Sequence, residues 1–284
     1  MNKNFISTSA ACCLVMLSSN TSSASEAQNQ SIGGYLSSGV ATGNYDGDSW
    51  RKHSFDGALY FPVIDKVNIQ FDGRFREYSI GEGVAGWGTA GQQNAVGATI
   101  FWRDPNFGRF GLFYDSGIVE SWKSNFKSGG IHAELFLNEQ IDFGGRFTQT
   151  DDSVSDEMNS GVTSTDQAYD LWLTYYYQKN LALTANYTYH LTDHVSSTDS
   201  NENIFTISAE YFLKDYINTN TSIQMFLTHS NFSDYENHPS NAIKFEMKWF
   251  FTDQKDLISV KRNGAIENRY NNYLDKPLWW HFPI

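Results

Sequence analysis

The chain has 284 residues, a formal net charge of −12 and a mean hydropathy of −0.46. That acidity argues against a nucleic-acid partner, because phosphate binding is carried by Lys and Arg. The cysteines are Cys12 and Cys13 alone, so a disulfide framework downstream of them is excluded. Aromatic residues nonetheless make up 16% of the chain.

The N-terminal segment reads as an export signal. Lys3 precedes a mostly apolar run from Phe5 to Leu17, and Ser22, Ser23 and Ala24 follow it. A positive start, a short apolar centre and small residues at its end are the layout a signal peptidase requires. We expect a leader over 1–24, with cleavage after Ala24 or as late as Ala27. The run is about half the ~20 residues of a membrane-spanning helix. A lipid anchor on Cys12 is disfavoured, because apolar residues continue after it. No later stretch reaches the ~18 apolar residues of a transmembrane helix. An exported, aromatic-rich, hydropathy-poor chain without disulfides is the composition of a transmembrane β-barrel, in which half of each strand faces water.

Period-two alternation dominates the rest of the chain. It predicts strands near 32–43, 54–63, 66–79, 94–103, 108–118, 126–137, 139–149, 166–178, 180–190, 203–213, 216–230 and 241–251. The last is the clearest: Ile243, Phe245, Met247, Trp249 and Phe251 alternate with Lys244, Glu246, Lys248 and Phe250. Ten residues rise about 33 Å along a strand; at ~40° tilt they cover about 25 Å, the height of an apolar membrane band. The predicted fold is therefore all-β, a transmembrane antiparallel meander barrel of twelve strands over 25–251. Fourteen strands remain the alternative, with a hairpin around Asn263-Gly264.

Connections are expected to alternate in length. Short turns fall at 64–65, 104–107, 138, 179 and 214–215, and longer polar loops near 44–53, 80–93, 119–125, 150–165, 191–202 and 231–240. Beginning on a long loop puts both chain ends on the side of the short turns. Aromatics gather beside those turns: Tyr60, Phe61, Phe101, Trp102, Phe107, Phe110, Tyr175 to Tyr177 and Trp249 to Phe251, the positions of an interfacial girdle. A soluble β-sandwich would bury the same rings, but it does not account for alternating loop lengths together with a leader and no disulfide.

On this pattern the chain resembles the Gram-negative outer-membrane β-barrel superfamily over about residues 30–251. In those proteins the final strand carries an assembly signal. Lys244, Trp249 and Phe251 match its polar and aromatic places, while Glu246 stands where Gly is usual and a tail follows. The resemblance implies an outer-membrane location with periplasmic termini. It also implies contact with outer-membrane lipid and lipopolysaccharide, and handling by the barrel-assembly machinery. It identifies no closer family.

Alternation assigns the inward positions: Asp56, Asp72, Arg74, Arg76, Arg103, Asp115, His132, Glu134, Asp142, Arg146, Asp170, Glu210, Lys244, Glu246 and Lys248. Such charges are excluded from lipid, where Arg or Lys at the midplane costs about 2–4 kcal/mol. Two uses stay open: a salt-bridged network bracing a closed interior, or a pore wall that passes small hydrophilic solutes, with an export-pore component as a variant. Twelve strands at ~4.8 Å spacing and ~40° tilt enclose a cylinder roughly 24 Å across. An outer-membrane lipid hydrolase is the competing enzymatic class, and no histidine sits in a matching motif; His190 and His194 are expected to be solvated. The acidic run from Asp151 to Glu157 lacks calcium-loop spacing, and no cofactor or metal site is expected.

The segment 252–284 breaks the pattern. It is slightly basic and ends in Leu278, Trp279, Trp280, His281, Phe282, Pro283 and Ile284. It is expected to plug the lumen, pairing with Asp56, Asp115 or Asp170, to stay disordered, or to dock a periplasmic partner.

Overall fold

A strand that must cross hydrocarbon needs a hydrogen-bonding neighbour on both sides, and a closed ring of strands supplies this without leaving an edge. The computed structural model describes residues 32–267, apart from 46–47, 81–90, 120–123, 155–162, 195–199, 233–238 and 252–253. The leader and the residues 268–284 lie outside the described residues. Twelve strands follow one another: β1 (Gly33–Tyr45), β2 (Asp48–Ile64), β3 (Val67–Ile80), β4 (Gly91–Asp104), β5 (Gly108–Val119), β6 (Ser124–Asn138), β7 (Ile141–Val154), β8 (Thr163–Gln178), β9 (Leu181–His194), β10 (Ser200–Phe212), β11 (Thr221–Phe232) and β12 (Pro239–Phe250). Each pairs antiparallel with its sequence neighbours, and β12 returns to β1 to close the barrel. The closing ladder runs from Tyr35 opposite Phe250 to Tyr45 opposite Ser240.

The strands have 12 to 17 residues, roughly 40–55 Å at ~3.3 Å per residue. They outrun the apolar band and extend into segments read above as loops. The expected loop over 44–53 is instead the end of β1 and the start of β2, in register from Thr42 opposite Arg51 to Tyr45 opposite Asp48. Only Asp46 and Gly47 lie between the two strands, an Asp-Gly pair of the kind favoured in two-residue hairpins. The strict long-short alternation therefore fails at its first connection. Asp151 to Val154, read as loop, belong to β7.

The opposite end of the barrel carries the short connections. Lys66 takes a left-handed φ of 60° between β2 and β3. Its Nζ lies 2.8 Å from Asp104 at the neighbouring connection, and that hydrogen bond holds the ammonium above its ordinary pKa. Between β10 and β11 the chain makes a helical turn, α1 (Lys214–Ile217), closed by Asn218 with φ 48°. The strand expected from 216 therefore begins only at Thr221.

The Asn263-Gly264 hairpin is also absent. A helix, α2 (Leu257–Asn263), occupies this stretch, and the Asp256 side chain caps it by accepting from the Ser259 amide at 2.8 Å. Leu257, Val260 and Lys261 are its buried residues, a helical spacing on one face rather than a strand's alternation. No thirteenth or fourteenth strand occurs among the described residues.

Alternation divides the aromatics as it divides everything else. Phe107, Phe110, Tyr175, Tyr177, Trp249 and Phe251 face outward and are exposed, whereas Tyr60, Phe101, Tyr176 and Phe250 are buried inside. The expected girdle is thus half a girdle and half an internal bed. Neighbours such as Tyr60 and Phe61 must point to opposite faces of a strand. Inward rings need room on the facing strand. Trp172 lies opposite Gly144 in the β7–β8 register, and a Cβ at Gly144 would stand 2.2 Å from the indole. Gly144→Val should destabilise the barrel by about 1–3 kcal/mol through this overlap. The measurement is the shift to lower temperature of the heat-modifiable band on a gel of detergent-folded protein.

Candidate functional site

Inward residues form three regions, and each follows from which strands carry which side chains. Across β3 to β8 the wall is charged and closely packed. The Arg74 guanidinium lies 2.5 Å from Asp72 and 3.1 Å from Asp115. Arg146 stands 4.0 Å from Asp115, with its guanidinium over the Phe113 ring. Asp170, opposite Arg146 in register, accepts from Thr188 at 2.5 Å. Arg109 meets Glu134 at 2.6 Å, and the Trp172 indole donates to the same carboxylate at 3.0 Å. His132 rests against Trp172, ring centres 5.3 Å apart. Ion pairs this dry gain from mutual attraction to the extent that hydrogen bonds also meet their remaining valences.

The second region lies on β9 to β12 and on β1 and β2. There many inward side chains are small and neutral, including Ser37, Thr184, Thr206, Ser208, Thr228 and Ser230, and a cavity of about 140 Å³ remains among them and a set of charged groups. Its charged members pair with one another: Arg76 with Asp56 at 2.5 Å, Lys244 with Glu246, and Lys248 with Glu210 and Glu246, each at 3.7 Å.

The third region closes the end that carries the short connections. The residues after β12 turn back into the barrel. The Leu257 amide donates to the carbonyl of Lys179 at 3.0 Å. Leu257, Val260, Ala265 and Ile266 pack on Tyr35, Tyr60, Phe101, Tyr176, Phe212 and Phe250. Lys261 lies 2.5 Å from Glu210, and Arg262 lies 2.7 Å from Asp142, which also accepts from Tyr176 at 2.7 Å. Gln70 grips the Ile266 backbone twice, donating to its carbonyl at 2.9 Å and accepting from its amide at 2.8 Å. Arg103 donates to the Gly264 carbonyl at 3.0 Å, Arg109 to that of Lys261 at 3.1 Å, and Tyr60 to that of Asn263 at 3.0 Å. Glu267 joins the segment to the wall by its bond to Lys248 at 3.0 Å, and within the segment it meets Lys261 at 2.6 Å.

The segment's acidic partners therefore differ from those expected. Asp56, Asp115 and Asp170 lie in mid-strand and are already engaged by Arg76, Arg74 and Thr188. Asp142 and Glu210 stand beside the short connections, where the returning chain passes. His190 is buried, 3.9 Å from Asp166, rather than solvated; its strand continues to His194, so it is no longer at the rim. Trp249 and Phe251, read as part of an assembly signal with Lys244, face outward, while Lys244 faces the lumen.

Sequence reasoning passed over Arg109, Lys52, Gln70 and Lys261, all buried. Arg109 and Lys52 were recoverable by extending the alternation two residues at a time from Asp115 and Asp56. Lys52 had been assigned to a loop. Gln70 is an uncharged group, and nothing in its neighbourhood marks it as a backbone clamp. Glu134→Ala should cost about 3–5 kcal/mol by leaving Arg109 buried and uncompensated. Unfolding in urea from detergent micelles measures this, and Glu134→Gln should cost less because it keeps the acceptor for Trp172.

No family model matches the sequence, and no curated protein matches it. Among solved structures, an outer membrane channel from Pseudomonas putida F1 shares 13% identity at a TM-score of 0.54, covering 78% of this chain and 95% of that one. The KdgM porin shares 8% identity at 0.43, covering 76% and 99%. An anion-selective porin from Comamonas acidovorans shares 10% at 0.42, covering 78% and 99%. At such identities the likeness is one of fold. The likeness to the Pseudomonas putida channel is that of a closed antiparallel β-barrel, here of twelve strands.

Proposed function

We propose that the chain is an outer-membrane channel for small hydrophilic solutes, closed at its periplasmic end in this conformation by its own residues 254–267. One observation carries the reading: a polar cavity inside a closed barrel is bounded below by a segment held by side-chain bonds. A barrel with a purely structural interior has no use for the cavity along β9 to β12, or for a terminal segment that is a separate part of the wall. On this reading the short connections and both termini are periplasmic. The outward apolar belt contacts outer-membrane lipid and lipopolysaccharide, and Lys244, Trp249 and Phe251 present the final strand to the barrel-assembly machinery. An export-pore component is the variant that uses the same lumen in the opposite direction.

A second reading has its own support. The ion pairs across β3 to β8 fill that half of the lumen, as a structural barrel with a closed interior would require. The described histidines His132, His190 and His229 lend the lipid-hydrolase reading no support: His132 packs on Trp172, His190 pairs with Asp166, and His229 bonds Asn241 at 2.9 Å.

Planar-bilayer recording separates the first two readings. Removing 252–284 takes away the whole floor of the cavity, so single-channel conductance should rise several-fold over that of the full chain. No conductance from either form, with both correctly folded by the gel assay, assigns the barrel to the structural class.

A further inference from the structure

The cavity is defined by what its polar groups have left to offer. Most of its charged side chains are matched within the wall or to the returning segment: Arg76 to Asp56, Lys244 to Glu246, Lys248 and Lys261 to Glu210 and Glu267, while Lys52 and Glu202 also line it. An ionic ligand would have to break one of these dry pairs, leaving a buried charge behind. The neutral groups are differently placed. The Trp50 side chain is 5% exposed on the cavity wall, and its indole Nε1 has no hydrogen-bond partner. Asn186 accepts from Thr188 at 3.2 Å, and its amide Nδ2 has no partner. Buried donors of this kind are rare in folded proteins and call for an occupant. Around them the Ser and Thr hydroxyls can each donate or accept. Some already meet across the strands, Thr206 with Thr228 at 3.1 Å and Gln224 with Ser208 at 3.1 Å, and each such oxygen has further acceptor capacity.

Trp50 is also placed by geometry. It lies opposite Gly43 in the β1–β2 register, and a Cβ at Gly43 would stand 2.5 Å from the indole. The glycine admits the ring to the wall, setting an apolar face and one N–H donor side by side. An unpaired donor beside a flat apolar surface, among hydroxyls and with most of the ions paired, matches a ligand whose oxygens are numerous and uncharged and whose ring carries C–H faces.

We infer that the cavity is a binding station for a neutral polyhydroxylated solute, a saccharide or polyol, whose oxygens accept from Trp50 Nε1 and Asn186 Nδ2. The volume of about 140 Å³ holds roughly ten waters, which the hydroxyls of such a solute replace one for one. The inference deepens the channel reading by naming its solute class, and it rests on that reading for its physiological use.

The test is calorimetric titration of the full-length protein, folded in detergent, with glucose and maltose, against glutamate and choline as an anionic and a cationic solute. At least one sugar should bind, and both charged solutes should give no heat of binding. Trp50→Phe and Asn186→Ala should each weaken the sugar about five- to tenfold, the loss of one hydrogen bond. The two variants lie on different strands, so a folding defect in one leaves the other to decide. Sugar binding unchanged in both folded variants, a charged solute bound more tightly than either sugar, or no sugar binding at all would overturn the inference. Bilayer recording of the form lacking 252–284 keeps the two proposals apart. Sugar binding without conductance retains the station and removes the channel; conductance without sugar binding does the reverse.

Discussion

The ladder that joins β1 to β12 is the contact on which the rest of this molecule depends. Backbone N–H and C=O groups have no water to bond in hydrocarbon, so an open sheet would leave a row of them unsatisfied. Closure removes both edges at once. It also fixes parity: when Tyr35 is set opposite Phe250, every second residue around the ring is committed to the lumen and every other one to the outside. A slip of one residue would turn the inward charges toward lipid. Register and charge pattern thus enforce each other.

Parity decides which face a residue takes, and strand identity decides what the lumen becomes. Strands β3 to β8 bring large and ionised groups inward. Their packing depends on glycines such as Gly144, opposite Trp172, because two bulky groups cannot share one register position. Strands β9 to β12 bring hydroxyls and amides instead, and space remains. One barrel thereby holds a braced half and a hollow half. The two readings weighed from sequence, network and pore wall, describe different arcs of the same ring.

Much of this was legible beforehand, and what was missed has identifiable causes. The period-two pattern placed all twelve strands, because a half-lipid, half-water environment leaves alternation little freedom. The inward charges followed from the same count. Strand ends were misplaced where polarity was taken to mean loop: Trp50 and Lys52 sit in a polar stretch that is polar on its lumen face only. The aromatic girdle was overcounted for a related reason, since composition near a turn does not record direction. Leu257 to Asn263 was read against a turn signal at Asn263-Gly264, although its apolar residues lie three apart. The clamps on this segment were not readable, because Gln70, Arg103 and Tyr60 bind backbone carbonyls and amides, which have no signature in sequence.

The segment after β12 can reach the lumen because of where the twelfth strand ends. An even number of antiparallel strands returns the chain to the end at which it started, beside the short connections. A chain end emerging there enters the barrel without threading past a closed loop, an option open to no internal segment on that side, since each short connection is already drawn tight between two paired strands. Entry then requires compensation for backbone polar groups taken out of water. Helix formation satisfies part of them. Arg103, Arg109, Tyr60 and Gln70 satisfy the carbonyls and the amide that follow the helix. The basic residues of the segment meet carboxylates at the base of β7 and β10, so its opposite charge to the rest of the chain is what seats it. Its hold is both polar and apolar, the latter through Leu257, Val260, Ala265 and Ile266 on the inward aromatic rings. The closed ladder of twelve strands does not include this segment, whereas a strand of the wall cannot be lost without opening the ring.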